Sequence, residues 1–327
     1  MRVDRGHTPL RKISGARAAF LRALQGIASH YVPRGLPRLV WTGRRLLFGV
    51  GQCVVCYKRR FQVICASDSY ESIMTVSGIL HRAMDKLLSE LLAETRGNVL
   101  FLDVGANVGF VSLLACSAGG STCRVQGVCF EPDPRAYQVL EENAALNEHN
   151  LQLVNQAVGA VVSLATLHLA TESLRSTLVE MPPGGFAFVK TVGRLQVEAT
   201  TIDKYCSECD LVPAIIKIDV EGFEPNVLRG AEHTIRQCRP FLIFEINPAA
   251  LASNNSSLET LLNHMQDMDY RMFHVDYKQA GLSSGQIKSR HKWRQYYQVQ
   301  QGDDVAGRFF DVVAIPASKF AELVRGV

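Results

Sequence analysis

Residues 101–110 read Phe101-Leu102-Asp103-Val104-Gly105-Ala106-Asn107-Val108-Gly109-Phe110. The chain is apolar from Val99 to Val104 apart from Asp103, breaks into a glycine-spaced turn, and resumes apolar at helical spacing from Val108 to Ala118. That is a buried strand, a tight turn and a helix N-terminus. Gly105 permits the turn and a close approach of a ligand to the backbone, and Gly109 lets the helix begin near the strand. A ligand of nucleotide type belongs at such a turn, outside the carboxyl ends of the strands. The spacing is Gly-x-x-x-Gly with Asn107 between, not the G-x-G-x-x-G of a dinucleotide loop. Asp103 at the strand end suits a cation or an amine better than a phosphate.

Working outward, strand and helix signals alternate. Val125–Phe130 predicts a second strand, closed by Glu131-Pro132-Asp133-Pro134. There Asp133 caps a helix that has Pro134 at its first position and runs to about Asn147. Leu151–Val158 predicts a third strand, residues 161–200 a β-rich excursion with a Pro182–Gly185 turn, and Ile202–Cys206 a short helix. Ala214–Val220 and Phe241–Ile246 predict further buried strands, with a helix at Pro225–Gln237 between them and another at Leu258–Met268 after them. Arg271–Val275 and Phe309–Ile315 close the chain as an antiparallel pair at the sheet's edge. Upstream, one or two strands fall in 46–66 around the basic turn Lys58-Arg59-Arg60, and Ile79, Leu80, Met84, Leu87, Leu88, Leu91 and Leu92 predict a helix over 75–95. The pattern is an α/β fold: a mostly parallel sheet with helices on both faces and right-handed crossovers.

Four strands end in polar groups: Asp103, then Glu131, then Asp219 and Glu221 of Lys217-Ile218-Asp219-Val220-Glu221-Gly222, then Glu245 of Phe244-Glu245-Ile246-Asn247. Core strands do not need this; a binding site does. Glu131, 26 residues after Gly105, is placed to accept two ribose hydroxyls. A plain capping turn accounts for Asp133 and leaves Glu131 unexplained.

Asp103-Val-Gly-Ala-Asn-Val-Gly109, Phe130-Glu-Pro-Asp-Pro134, Leu140-Glu-Glu-Asn143 with Leu146-Asn147, Thr201-Ile-Asp203, Lys217-Ile-Asp-Val-Glu-Gly222, Val227-Leu-Arg-Gly230, Arg239-Pro240 and Glu245 occur in this order. Together they resemble the FkbM-type S-adenosylmethionine-dependent methyltransferases over about residues 60–316. The resemblance implies a seven-stranded, Rossmann-like methyltransferase sheet of order 3-2-1-4-5-7-6 with the last strand antiparallel. It also implies S-adenosylmethionine as cofactor, and methylation of a hydroxyl on a sugar, lipid or small molecule. On that reading Asp103, Gly105, Asn107, Gly109, Glu131, Pro132, Asp133, Ala157 and Asp219 bind the cofactor, with Asn155 and Val158 bordering the adenine. An alcohol acceptor must lose a proton, and Glu221 and Glu245 are the candidate catalytic bases, with His274 behind them. Glu221 read structurally is a carboxylate satisfying the helix start at 222–226. A non-catalytic S-adenosylmethionine-binding module is one alternative, and an NAD-dependent oxidoreductase on a similar sheet is another; the missing G-x-G-x-x-G argues against the latter.

The chain has 327 residues, 47% of them apolar and 20% charged, which excludes a disordered tail, a collagen and a coiled coil. Its net charge of +4 is uneven: residues 1–60 hold thirteen Lys/Arg and one acid, Asp4, so the remainder carries −8. This divides the chain into a basic extension at 1–45, lead-in strands and helix at 46–98, and a methyltransferase domain at 99–327. The extension is Arg-rich and acid-poor, which suits an accessory helix, an arm attracted to anionic membrane surfaces, or an organelle transit segment. The longest apolar run near the N-terminus, Leu46–Tyr57, is too short to span a membrane. Nine scattered cysteines, including Cys53/Cys56 and Cys206/Cys209, suggest buried thiols in a reducing, cytoplasmic setting rather than a disulfide framework or a zinc site. Sequons at Asn254 and Asn255 carry little weight without a secretory signal. Residues 278–308 hold six Lys/Arg, two Asp, Trp293, Tyr296 and Tyr297, a loop that can bind sugars, phosphates or single-stranded nucleic acid or be plain surface. A small-molecule or glycan acceptor fits better than nucleic acid.

Overall fold

A computed structural model describes residues 10–30, 32–93, 95–119, 123–170, 176–179, 191–247, 251–252, 256–275, 297–298 and 310–320. The Asn254/Asn255 sequons, the Pro182–Gly185 turn and most of the 278–308 loop, with Trp293 and Tyr296, lie outside them.

Among the described residues the centre is an eight-stranded sheet. Five parallel strands run in the order β11 (Phe241–Ile246), β10 (Ile215–Ile218), β4 (Gly97–Val104), β5 (Cys123–Phe130) and β6 (Leu151–Val154). Beyond β11 come β14 (Phe310–Pro316), antiparallel to it, then β12 (Tyr270–His274) and the two-residue β13 (Tyr297–Gln298). The expected seven strands thus become eight, because a short piece of the long final loop pairs with β12. Apolar side chains cover both faces. One layer packs α5 (Arg82–Ala93) and α6 (Phe110–Ala118) on the sheet. The other packs α8 (Ile202–Glu208), α9 (Glu224–Arg229), α10 (Glu232–Cys238) and α11 (Leu258–Asp267). Asp203 accepts from the N–H groups of His233 and Thr234 at 3.0 and 2.7 Å, fastening the start of α10 to α8.

Several predicted elements are broken. The helix expected over 75–95 is α4 (Tyr70–Val76), capped by Ser69, followed by α5. Between them Gly78 and His81 both take positive φ, which no helix admits. The strand expected over 151–158 is β6 followed by β7 (Ala157–Val158). The latter leaves the main sheet to pair with β9 (Thr191–Thr200), which also pairs with β8 (Ser163–Ala170). The helix expected over 225–237 is split into α9 and α10 at Gly230–Ala231.

The boundary at 45/46 does not separate an arm from a body. β1 (Arg11–Lys12) pairs with β2 (Gln52–Tyr57), which pairs in turn with β3 (Phe61–Ala66). Leu21, Leu24 and Ala28 of α1 (Gly15–His30) and Val40 of α2 (Leu36–Thr42) are buried, and Leu21, Leu24 and Val40 share one core with α5 and α6. The buried Gln25 amide donates to the Val76 carbonyl at 2.8 Å and accepts from the Lys58 N–H at 3.0 Å. Arg17, Arg22 and Arg38 are exposed on the outer faces of helices whose inner faces the core needs. Two asparagines of α7 (Pro134–Ala145) and its C-terminal turn tie the β2–β3 hairpin down. Asn143 accepts from the Ile64 N–H and donates to the Val108 carbonyl, both at 2.8 Å. Asn147 accepts from and donates to the Gln62 backbone at 2.8 and 2.7 Å. Among the described residues no helix is long and apolar enough to cross a membrane.

Candidate active site

A cavity of about 440 Å³ opens at the carboxyl ends of β4, β5 and β10, within the size range of small-molecule sites. Its floor is the turn after β4. Gly105 has φ +75°, and a Cβ there would lie 1.9 Å from the Asp219 carbonyl oxygen, so only glycine lets β4 and β10 deliver their ends side by side. The Gly105 and Ala106 N–H groups donate to the Phe130 carbonyl at 3.0 and 2.9 Å. Asn107 also takes positive φ and lines the cavity; its side-chain oxygen is buried and has no hydrogen-bond partner among the described residues. Gly109, with φ +81°, opens α6.

Glu131 stands at the wall, buried, with one carboxylate oxygen accepting from the Asn107 N–H and the other from the Asp133 N–H, both at 2.8 Å. Burial pushes its pKa up to about 7, against the pull of those two N–H groups. Each oxygen keeps a second lone pair for a ligand hydroxyl. The Asn155 amide donates to the Glu131 carbonyl at 2.8 Å, so it positions this backbone, while Pro132, Ala157 and Val158 line the cavity.

Two expected cofactor contacts face away from it. Asp103 is fully buried beneath the turn. It accepts from the Ser112 hydroxyl at 2.6 Å and pairs with the Lys217 ammonium at 3.0 Å, its direct cross-strand neighbour. The cation its strand-end position calls for is the protein's own. Asp133 is equally buried: it caps α7 by accepting from the Arg135 N–H at 2.9 Å, pairs with the Arg135 guanidinium at 2.6 Å and accepts from the Ser176 hydroxyl at 2.7 Å. Burial opposes its charge, yet Arg135 and Ser176 hold its carboxyl below the usual range.

Lys217 had no assigned role from sequence. Its ammonium donates to the Gly105 carbonyl at 2.8 Å and lies 3.5 Å from Asp219. Burial works against that charge, but Asp103 and Asp219 outweigh it and raise the pKa above the ordinary lysine value. Asp219 itself is half-exposed and lines the cavity.

Glu221 also lines the cavity, with positive φ and its carbonyl accepting from the Thr177 hydroxyl at 2.9 Å. The structural task considered for it belongs to Glu224, whose one oxygen accepts from the Val220 and Gly222 N–H groups at 2.9 and 3.1 Å. Glu245 is not among the lining residues. It sits opposite Asp311 in the β11–β14 ladder, and burial, then Asp219, Glu221, Asp311 and Glu224, push its pKa up to about 10. Raised this far and set behind the cavity lining, Glu245 keeps its proton at neutral pH in the ligand-free protein, which favours a lining group over it as the base. His274 lies on β12, separated from β10 by β14 and β11.

His81 was missed by sequence reasoning. Its ring lines the cavity 5.3 Å from the Phe110 ring. Burial lowers its pKa to about 4, with Asp219 opposing and Lys217 assisting, so the imidazole is neutral at physiological pH. It comes from a helix break far from every motif, and no signal around it marks a site.

A family model described as the methyltransferase FkbM domain matches residues 103–272. The chain belongs to the FkbM methyltransferase family. The chain is similar to the hexuronic acid methyltransferase AglP of Haloferax volcanii, 25% identical over 58% of this chain and 71% of that one. The 2-O-methyltransferase NoeI of Sinorhizobium fredii is 26% identical over 56% and 75% respectively. Among solved structures, an FkbM methyltransferase of Methylobacillus flagellatus is 14% identical, covering 78% of this chain and 55% of that one, with a TM-score of 0.38. The matched FkbM segment begins at Asp103, so the hairpin and α4 wall of the cavity lies outside it.

Proposed function

We propose that this methyltransferase moves a methyl group from S-adenosylmethionine to a hydroxyl of a small polar acceptor. The observation that carries the reading is the junction of Glu131 and Asn107: a buried carboxylate with free lone pairs beside a buried amide oxygen that has no partner, both at the wall of one cavity. Two neighbouring acceptors of this kind suit the hydroxyl and amino donors of S-adenosylmethionine. Gly105, Asn107, Glu131, Pro132, Ala157 and Asp219 would hold it, and Asp219 suits its cationic end. A mostly parallel sheet with helices on both faces is the kind of fold that reading implies, which supports it.

When bound, S-adenosylmethionine supplies a methyl group on a positively charged sulfur, open to in-line attack by an acceptor oxygen. The chain's own residues orient the acceptor, which supplies much of the rate, and take its proton. Of the lining groups, Glu221 and the neutral imidazole of His81 would receive that proton, since Glu131 and Asp219 are given to the donor. Titration calorimetry with S-adenosylmethionine, followed by transfer of its labelled methyl to a glycan pool, tests the proposal; a folded protein that binds no S-adenosylmethionine sinks it.

A further inference from the structure

Residues 5–67 contain twelve Lys/Arg and no Asp or Glu, so charge in this stretch can be matched only from elsewhere. Lys58 and Arg60 are matched by Asp85. Arg17, Arg22, Arg34, Arg38 and Arg45 are exposed and make no ion pair among the described residues.

Apolar side chains stand in water among these arginines. α2 passes through Gly43 into α3 (Arg44–Leu47) with helical bonding: the Gly43 N–H donates to the Leu39 carbonyl at 2.9 Å, and the Gly43 carbonyl accepts from the Leu47 N–H at 3.2 Å. Residues seven apart therefore share a face. Val40 turns inward, as does Phe48 just after α3, whereas Leu39 is 68% and Leu46 77% exposed, each next to an exposed arginine, Arg38 and Arg45. Val50, just beyond, is 84% exposed. On α1, Phe20 and Ile27 are exposed as well, again seven apart. Leucine beside arginine on an outer face is the composition of a helix that lies in a lipid interface.

This surface borders the cavity. The Trp41 ring of α2 meets Tyr70 edge-on, 5.4 Å between centroids, and Tyr70 opens α4, from which Ser72 and Thr75 line the cavity. Gln52, two residues after Val50, lines it too.

We propose that this N-terminal surface, centred on α2 and α3, docks the protein on an anionic lipid bilayer beside the mouth of the cavity. The arginines meet the headgroups, and the leucines enter the boundary with the acyl chains. A nucleic acid would take the arginines but leave Leu39, Leu46 and Val50 in water. Residues 61–327 carry −8, so the field that draws the N-terminal surface in turns the rest of the chain away. The contact is peripheral, since among the described residues no helix is long and apolar enough to cross a membrane. The proposal does not depend on the methyl-transfer reading.

The test sediments the full chain with vesicles of phosphatidylcholine alone and with vesicles that also contain phosphatidylglycerol. Binding should be about tenfold or more stronger to the second and should weaken as salt is raised. Equal binding to both, or none to either by folded protein, overturns the proposal. Two paired variants locate the contact. Arg38→Gln with Arg45→Gln should weaken binding about thirtyfold, and Leu39→Ser with Leu46→Ser about tenfold. All four side chains are exposed, so thermal midpoints should stay near that of the parent. Folded variants that bind like the parent overturn the assignment to α2 and α3. A single-stranded oligonucleotide that binds more tightly than the vesicles, with the leucine pair making no difference, makes the surface one for nucleic acid and overturns the bilayer.

Discussion

Lys217 donates from a buried ammonium on β10 to the Gly105 carbonyl at the head of the β4 turn, across 2.8 Å. The same ammonium neutralises Asp103 below the turn and faces Asp219 at the cavity. Removing it in Lys217→Met leaves Asp103 buried and unpaired. Such a break costs about 3–5 kcal/mol, read as a lower denaturant midpoint. Adding Asp103→Leu should restore part of the loss, since replacing both charges is far cheaper than stranding one. A single variant as stable as the parent would show the pair to be unimportant.

For Glu131→Ala, affinity for S-adenosylmethionine should fall about ten- to a hundredfold, the loss of roughly 1.5–3 kcal/mol of charge-assisted bonding. The Asn107 and Asp133 N–H groups also lose their acceptor, so stability should drop as well. Unchanged affinity in the calorimeter would remove Glu131 from the cofactor site.

The proton acceptor is decided by two variants. Glu221→Gln should slow methyl transfer by about 10²–10⁴-fold with cofactor affinity little changed. Near-normal turnover would make Glu221 a wall residue and pass the role to His81, where His81→Gln should then show the loss instead.

Stability of the ligand-free protein should fall as pH rises from about 5 to 8. Glu131, Glu224 and Asp311 have their pKa values raised to about 7 and Glu245 to about 10, all chiefly by burial. Over this interval the folded state holds more protons than the unfolded one, so each added pH unit favours unfolding. His81, lowered to about 4, works the other way between about 4 and 6.5, but it is one group against four. Thermal midpoints that climb steadily toward pH 8 would contradict this balance.

The N-terminal helices carry stability as well as charge. Gln25→Leu strands the Lys58 N–H and the Val76 carbonyl, each worth about 1–3 kcal/mol when buried without a partner. A chain starting at Leu46 also loses the packing of Leu21, Leu24, Ala28 and Val40 and should be far less stable than the full chain. A truncated chain that melts with the parent would restore the picture of a detachable arm.

The alternation of strands and helices was legible from apolar runs and their breakers, and so were the turn at Gly105 and the place of Glu131 beside it. An acid at a strand end was not by itself informative. Asp103 and Glu131 share that position, but Asp103 lies against α6 beneath the turn and Glu131 lines the cavity. A lysine inside Ile216-Lys217-Ile218 carries a usable signal, since a buried cation requires a carboxylate partner. His81 and the β3–α4 wall were hidden because tertiary packing alone brings them to the motifs, through Asn143 and Asn147. Composition misled at the N-terminus: Arg-rich helices look like an appended arm when their apolar stripe is short.

Asn143 spends its carboxamide oxygen on the hairpin at Ile64 and its nitrogen on the carbonyl of Val108. In mechanical terms it is a rivet: one short side chain fixes the separation between a strand that walls the cavity and the segment leading into α6. Aspartate would lack the donor and leucine would lack both functions, so the joint has little latitude in its chemistry. The hairpin and the turn are therefore two sides of one joint, and parting them means giving up one of the two bonds that Asn143 makes.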